Sequence, residues 1–281
     1  MTLATAPAPL ALEPTRSRTP EPGPQRLALV FLPAAGLVAG AFLLARALAP
    51  WAATPGGLLA SVALGALAML LVGALGEWAV HRWCMHRPWS LPVLRLAFQL
   101  HHRAHHWVQF PPHEYVHAGP VQYVPVCPAR TDRVCTSRAS RALTIASHAA
   151  FYALFALGLA VVPGWLVSGN APFVVTVGLE AAVLIFLFVH VHDAVHYPGH
   201  SPLERLRCFW WLDRHHYIHH IDTRANTNFL LPLGDLLLGT LRRELRPDEL
   251  ARWPSYAEAR RRLVAAAFDA QGARLHEHEL R

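Results

Sequence analysis

Four membrane-length apolar runs limit this chain more than any other feature. Leu27–Ala45 carries no charge and is bounded by Arg26 and Arg46. A second run extends from about Leu58 to Gly76, a third over roughly Ala142–Val162, and a fourth over about Pro172–Phe188. A helix crosses the hydrocarbon core of a bilayer in about 20 residues, and the backbone must satisfy its own hydrogen bonds there, so each run is expected to be a transmembrane helix. Composition agrees: the chain is 53% hydrophobic and only 15% charged, with mean hydropathy +0.26, too apolar for an ordinary soluble globule. Pro33 is expected to bend the first span and Pro163-Gly164 to end the third, while the turn from Pro50 to Gly57 joins the first pair.

Residues 1–26 hold six prolines without apolar periodicity and read as a disordered tail with no signal-peptide pattern. All 25 basic Lys+Arg positions are arginine; the tail, the polar block 77–141 and the polar stretch after His190 hold all but one of them, whereas the two hairpin loops hold only Arg46 between them. The positive-inside bias then places both termini and both polar blocks in the cytoplasm. The basic excess flanks apolar spans, which points to an anionic membrane face and away from nucleic acid. Cys84, Cys127, Cys135 and Cys208 form no CxxC pair and read as free thiols. Arginine without lysine in an Ala/Leu-rich chain suggests a bacterial inner membrane. Residues 242–281 alternate charge with apolar side chains and suit an amphipathic segment lying on the membrane or on the polar block. The expected fold is all-α: an integral membrane helical bundle with four spans as two hairpins and a cytoplasmic histidine-rich helical cap.

Nineteen histidines are the outlier in composition. The pattern HxxHH occurs at His102/His105/His106 and again at His216/His219/His220. On an α-helix, positions i, i+3 and i+4 share a face, so each triplet aims three imidazoles at one point. Two further pairs accompany them, His81/His86 and His196/His200. At i, i+5 the first pair diverges by about 140° on an ideal helix, so one member is expected just past a helix end. Pro198-Gly199 should stop the helix near Tyr197 and let His200 fold back, but His192/His196 also makes an i, i+4 pair and is an alternative register. Ten imidazoles exceed the four ligands of a zinc site and suit two ions of higher coordination with open positions. Glu77, Asp193 and Asp213, three or four residues before a candidate ligand, are expected to orient ligand rings through their distal N–H groups. His101 and His215 point about 100° away from their triplets and are expected to be structural, as is His148 within a span.

In these motifs the chain resembles the fatty acid hydroxylase/sterol desaturase superfamily of membrane non-haem di-iron oxygenases. The resemblance covers about residues 57–241 and includes the trailing stretch Asn228-Phe229 … Asp235 … Leu238-Gly239-Thr240. The wider spacing of His81/His86 is similar to the fatty-acid 2-hydroxylase branch, whereas His192-Asp193 resembles a pair in the β-carotene hydroxylases. Pro198-Gly199 and Leu230 depart from the usual pattern. The resemblance implies a domain over 27–241 holding two Fe, with O₂ as co-substrate, a membrane lipid as substrate and electrons from a separate ferredoxin or reductase. It implies hydroxylation or desaturation of a C–H bond, in a fatty-acyl or related lipid, with a carotenoid or sterol as alternative.

Two other readings compete. His113-Glu114-Tyr115-Val116-His117 matches the HExxH of zinc hydrolases, but Pro111-Pro112 before it and Gly119-Pro120 after it leave less than two helical turns. A metal transporter would string ligands along the spans, where only His148 and His190 lie.

Overall fold

A computed structural model describes residues 19–108, 138–196, 201–251 and 253–261; those residues are helical and contain no strand. Four helical stretches are long and apolar enough to cross a membrane: Pro24–Trp51, Pro55–Met85, His148–Ser168 and Ala171–His196. The first contains α1 (Pro24–Leu48), which opens with a proline at its first position, where a missing N–H costs nothing, and runs on past Pro33. α2 (Pro55–Ala79) is capped by Thr54, whose side chain accepts from Gly57 N–H at 3.1 Å, and continues as a π-helical turn over Val80–Met85. α3 (Pro92–Phe98) likewise runs into a π-helical stretch, Gln99–Val108.

The third span differs from its expected form. α4 (Arg138–Ala156) does not end at Pro163; a π-turn over Leu157–Val161 leads directly into α5 (Val162–Ser168). The proline takes the first turn of α5, so the lost hydrogen bond is absorbed at the junction and the span reaches Ser168. Gly169, left-handed at φ 58°, ends it. α6 (Ala171–His196) follows and carries its helix well past the last apolar run, bringing His192 and His196 with it. α7 (Arg207–Ile221), α8 (Leu233–Leu238) and α9 (Pro247–Leu250) complete the order, with a further helical turn at 256–261.

α2 packs along α6 and α1, and α4 along α6. Gly65 lets α2 approach α6 closely, since a Cβ there would lie 2.8 Å from the Phe173 carbonyl oxygen. Asn170 ties three helices together at the far end from the histidines, donating to the Ala45 carbonyl at 2.8 Å and to Ser61 Oγ at 2.9 Å. Of the stretch expected to be a disordered tail, residues 1–18 lie outside the described residues, but the following ones are tied down. Thr19 is buried with its hydroxyl 2.6 Å from Asp222, and Glu21 pairs with Arg82 at 3.0 Å. Proline content argued for disorder; these two polar anchors outweigh it. The C-terminal segment, as far as described, packs on α7 through Trp253, Ala259 and the Tyr217–Tyr256 contact.

Candidate metal centre

Two groups of imidazoles lie side by side at one end of the bundle. His81, His86, His101, His106 and His219 bring one ring nitrogen each within 4.8 Å of one another, and His105, His192, His196 and His216 do the same. His105 and His106 also converge with His220, so the groups adjoin, and the His106 and His220 rings stack at 3.9 Å. Each HxxHH stretch therefore feeds both groups, where a single focus was expected.

The π-helical turns decide which rings take part. Their i→i+5 bonding brings i+4 and i+5 toward the face of residue i. His81 and His86 are thus neighbours at the end of α2, with ring centroids 5.0 Å apart, and the divergence expected from an ideal α-helix does not arise. In the stretch Gln99–Val108 the same register selects His101, His105 and His106. His101, expected to be structural, lies in the first group. His102, expected to be a ligand, is only half-buried and outside both groups: it stacks on Phe98 and sets its Nδ1 2.7 Å from His86 Nδ1. α7 is a regular α-helix, so His216, His219 and His220 face inward as the spacing predicts. His192 takes the place next to His196, one turn away; His200 lies outside the described residues, as do His113 and His117.

Backbone carbonyls orient at least three of the rings. His81 Nδ1–H donates to the Thr227 carbonyl at 2.5 Å, His219 Nδ1–H to Ala225 at 2.8 Å, and His215 Nε2–H to Asn228 at 2.6 Å. A carbonyl can only accept, so the proton sits on the bonded nitrogen and the other nitrogen of His81 and of His219 presents a lone pair to the cluster. The loop supplying these carbonyls is held by Asp235, fully buried, which accepts from Thr227 N–H at 3.1 Å, Asn228 N–H at 2.7 Å and the Thr240 hydroxyl at 2.5 Å. Gly234 is obligatory here, because a Cβ would fall on Asn228 Oδ1 and lie 2.9 Å from Trp78 Cβ.

Two of the three carboxylates expected beside the ligands stand elsewhere. Glu77 accepts from Phe229 N–H at 2.9 Å and Asn228 Nδ2 at 3.3 Å, one step removed from the rings. Asp213 faces the Tyr256 hydroxyl at 2.7 Å and Arg260 at 3.3 Å, since position i−3 on α7 turns it toward the C-terminal segment. Asp193 is half-buried near the end of α6.

The donor set fits a metal. His81 Nε2 is 2.9 Å from His101 Nε2, His219 Nε2 3.2 Å from His86 Nε2, and His216 Nε2 3.1 Å from His196 Nε2 and 2.8 Å from His220 Nε2. Two nitrogens bound at right angles to one ion at about 2.1 Å would lie about 3.0 Å apart, and in a tetrahedron about 3.4 Å. Neutral rings meet at this distance either through an N–H···N hydrogen bond or as two lone pairs around one cation, and the lone pairs of His81 and His219 suit the second. Protons are disfavoured: burial, then the neighbouring rings, hold His86, His101, His105, His106, His216 and His220 well below the usual imidazole range, as burial does His219. His192 Nε2 is buried and makes no hydrogen bond among the described residues. Neutral imidazoles with inward lone pairs are what a divalent transition metal binds.

Against this centre lies an apolar cavity between spans, lined by Met69 and Val80 of α2, Tyr152 and Phe155 of α4, and Leu184 and Phe188 of α6. Phe188, in the cavity lining, stacks on His192 with centroids 5.5 Å apart, and behind it Phe229 lies 4.9 Å from His216. Among the cysteines, Cys84 and Cys208 are free thiols, and Cys127 and Cys135 lie outside the described residues. In comparisons with known proteins, no family model, no curated protein and no solved structure matches this chain.

Proposed function

We propose that the protein is an O₂-dependent di-iron oxidoreductase that hydroxylates or desaturates a C–H bond of a membrane lipid, most naturally a fatty-acyl or related chain. One observation carries this: two adjoining all-imidazole groups, joined where His105 of one and His106 of the other converge on His220, abut an apolar cavity that opens between membrane-length helices. His81, His86, His101, His106 and His219 would hold one ion and His105, His192, His196 and His216 the other, with His220 between them. Iron bound there would supply the oxidising power that an unactivated C–H bond demands and no side chain possesses. The protein's own part is positional. The carbonyls of Ala225 and Thr227 fix the tautomers of His219 and His81, and burial excludes water and protons. Phe188 and Phe229 stand where the chain carbon would approach. The arginine distribution puts the centre on the cytoplasmic face, within reach of a soluble ferredoxin or reductase.

A transporter would need ligands strung along the spans, and the two groups lie together at one end of them. The test is metal analysis of protein purified without oxygen, with iron and zinc both quantified. About two irons per chain, lost in His106→Ala, and lipid-dependent O₂ uptake support the proposal. A single tight zinc with no iron uptake on reconstitution overturns it.

A further inference from the structure

The cavity has one feature that a slot for bare hydrocarbon does not need. Its lining is almost wholly apolar, yet Tyr152 is part of it, and the Tyr152 hydroxyl is buried without a hydrogen-bond partner among the described residues. Leaving such a hydroxyl unpaired costs about 1–3 kcal/mol, so its position calls for a partner that enters with a ligand. Glu77 lines the same cavity, held by Phe229 N–H and Asn228 on the loop that also orients the histidines. Tyr152 packs on Phe188 with centroids 4.5 Å apart, and Phe188 in turn stacks on His192, which puts the hydroxyl one aromatic layer from the histidines. Leu159 in its lining is half exposed on the span surface, so the cavity has a mouth on the side of the bundle that faces lipid.

We propose that this cavity binds a lipid already bearing an oxygen, a hydroxyl or carbonyl on the segment lodged between α2, α4 and α6, and that Tyr152 Oη pairs with that oxygen. The inference rests on the lipid-oxidation reading for its setting but not for its test. It names the substrate class: an oxygenated long-chain lipid, whose polar atom fixes how far the chain slides toward Phe188.

The experiment is retention from a mixture. Full-length protein in detergent micelles is equilibrated with equal amounts of octadecan-1-ol and octadecane, passed through gel filtration, and its retained lipids are quantified by mass spectrometry against protein-free micelles. The expected result is a five- to tenfold enrichment of the alcohol over the micelle ratio, the worth of one buried hydrogen bond. Tyr152→Phe should return the ratio to that of the micelles while retaining as much total lipid and the same metal content. Leu159→Trp, at the mouth, should lower retention of both lipids. Equal retention of alcohol and alkane by the unaltered protein, or enrichment that survives Tyr152→Phe, overturns the inference and would mean that a water or another group satisfies the hydroxyl. The assay is run with and without metal, so its failure is separate from a failure to bind iron.

Discussion

The stretches around His101–His106 and His215–His220 carry the same letters, HHxxHH, on two kinds of helix. In the π-helical stretch the first, third and fourth histidines enter the metal groups and the second, His102, is left at the edge. In the α-helical one the last three enter, and the first, His215, turns to the Asn228 carbonyl. The excluded histidine changes place because the helical period changes, with the residues unaltered. A ligand set is thus a property of pattern and winding together.

The largest effect that would break this comparison is on metal content. His101→Ala should cost the first group an ion, as His106→Ala does, whereas His102→Ala should leave the metal count unchanged; equal loss in both variants would mean the stretch is wound as an α-helix when loaded. On the α-helical side, His216→Ala should lose metal, while His215→Ala should keep it and lower stability by about 1–3 kcal/mol through the unpaired Asn228 carbonyl. Thermal melts beside metal analysis separate the two. Asp235→Ala strips a buried acceptor from two backbone N–H groups and a hydroxyl. It should cost roughly 3 kcal/mol or more and loosen the first group, since His81 and His219 lean on that loop. The rate of metal release in the presence of a chelator reads this directly.

Acid sharpens the comparison further. The buried rings of both stretches have folded-state pKa values below the usual 6.5, so the unfolded chain binds more protons as pH falls. Metal-free protein should therefore be most stable above about pH 6.5 and lose stability steadily below it. Asp213, which burial raises to about 6, and Asp235, also raised by burial, work in the opposite sense, but they are two groups against seven imidazoles. A metal-free melting temperature that stays flat between pH 7 and 5 would contradict the burial of these rings. The smallest effect is Tyr256→Phe, which removes one hydrogen bond to Asp213 and should cost about 1 kcal/mol without touching metal content.

The spans were legible because lipid imposes a single rule on length and polarity, and α1, α2 and α6 begin within a few residues of their apolar runs. Pro163 misled because a π-turn upstream absorbs the break, and no composition marks such a turn. The same blind spot exchanged His101 for His102. Histidine spacing did reveal where the imidazoles gather, with His192 standing beside His196 as the alternative register allowed, while His200 lies outside the described residues. The orienting groups were illegible for another reason: backbone carbonyls at 225–228 have no sequence signature, so nearby carboxylates drew the attention. The closest sequence trace was Asn228, Gly234, Asp235 and Thr240, whose side chains hold that loop.

The Thr19–Asp222 bond joins residues 203 positions apart, and His81 finds its carbonyl 146 positions downstream. During synthesis, then, His81 at the end of the second span is made long before the carbonyl that orients it, and α7 and the loop after it follow the last of the four spans. The centre closes only after nearly the whole described chain has been made. Assembly of this protein is thus a matter of timing, since the histidine cluster takes its final form only when distant parts of the chain have been made and meet.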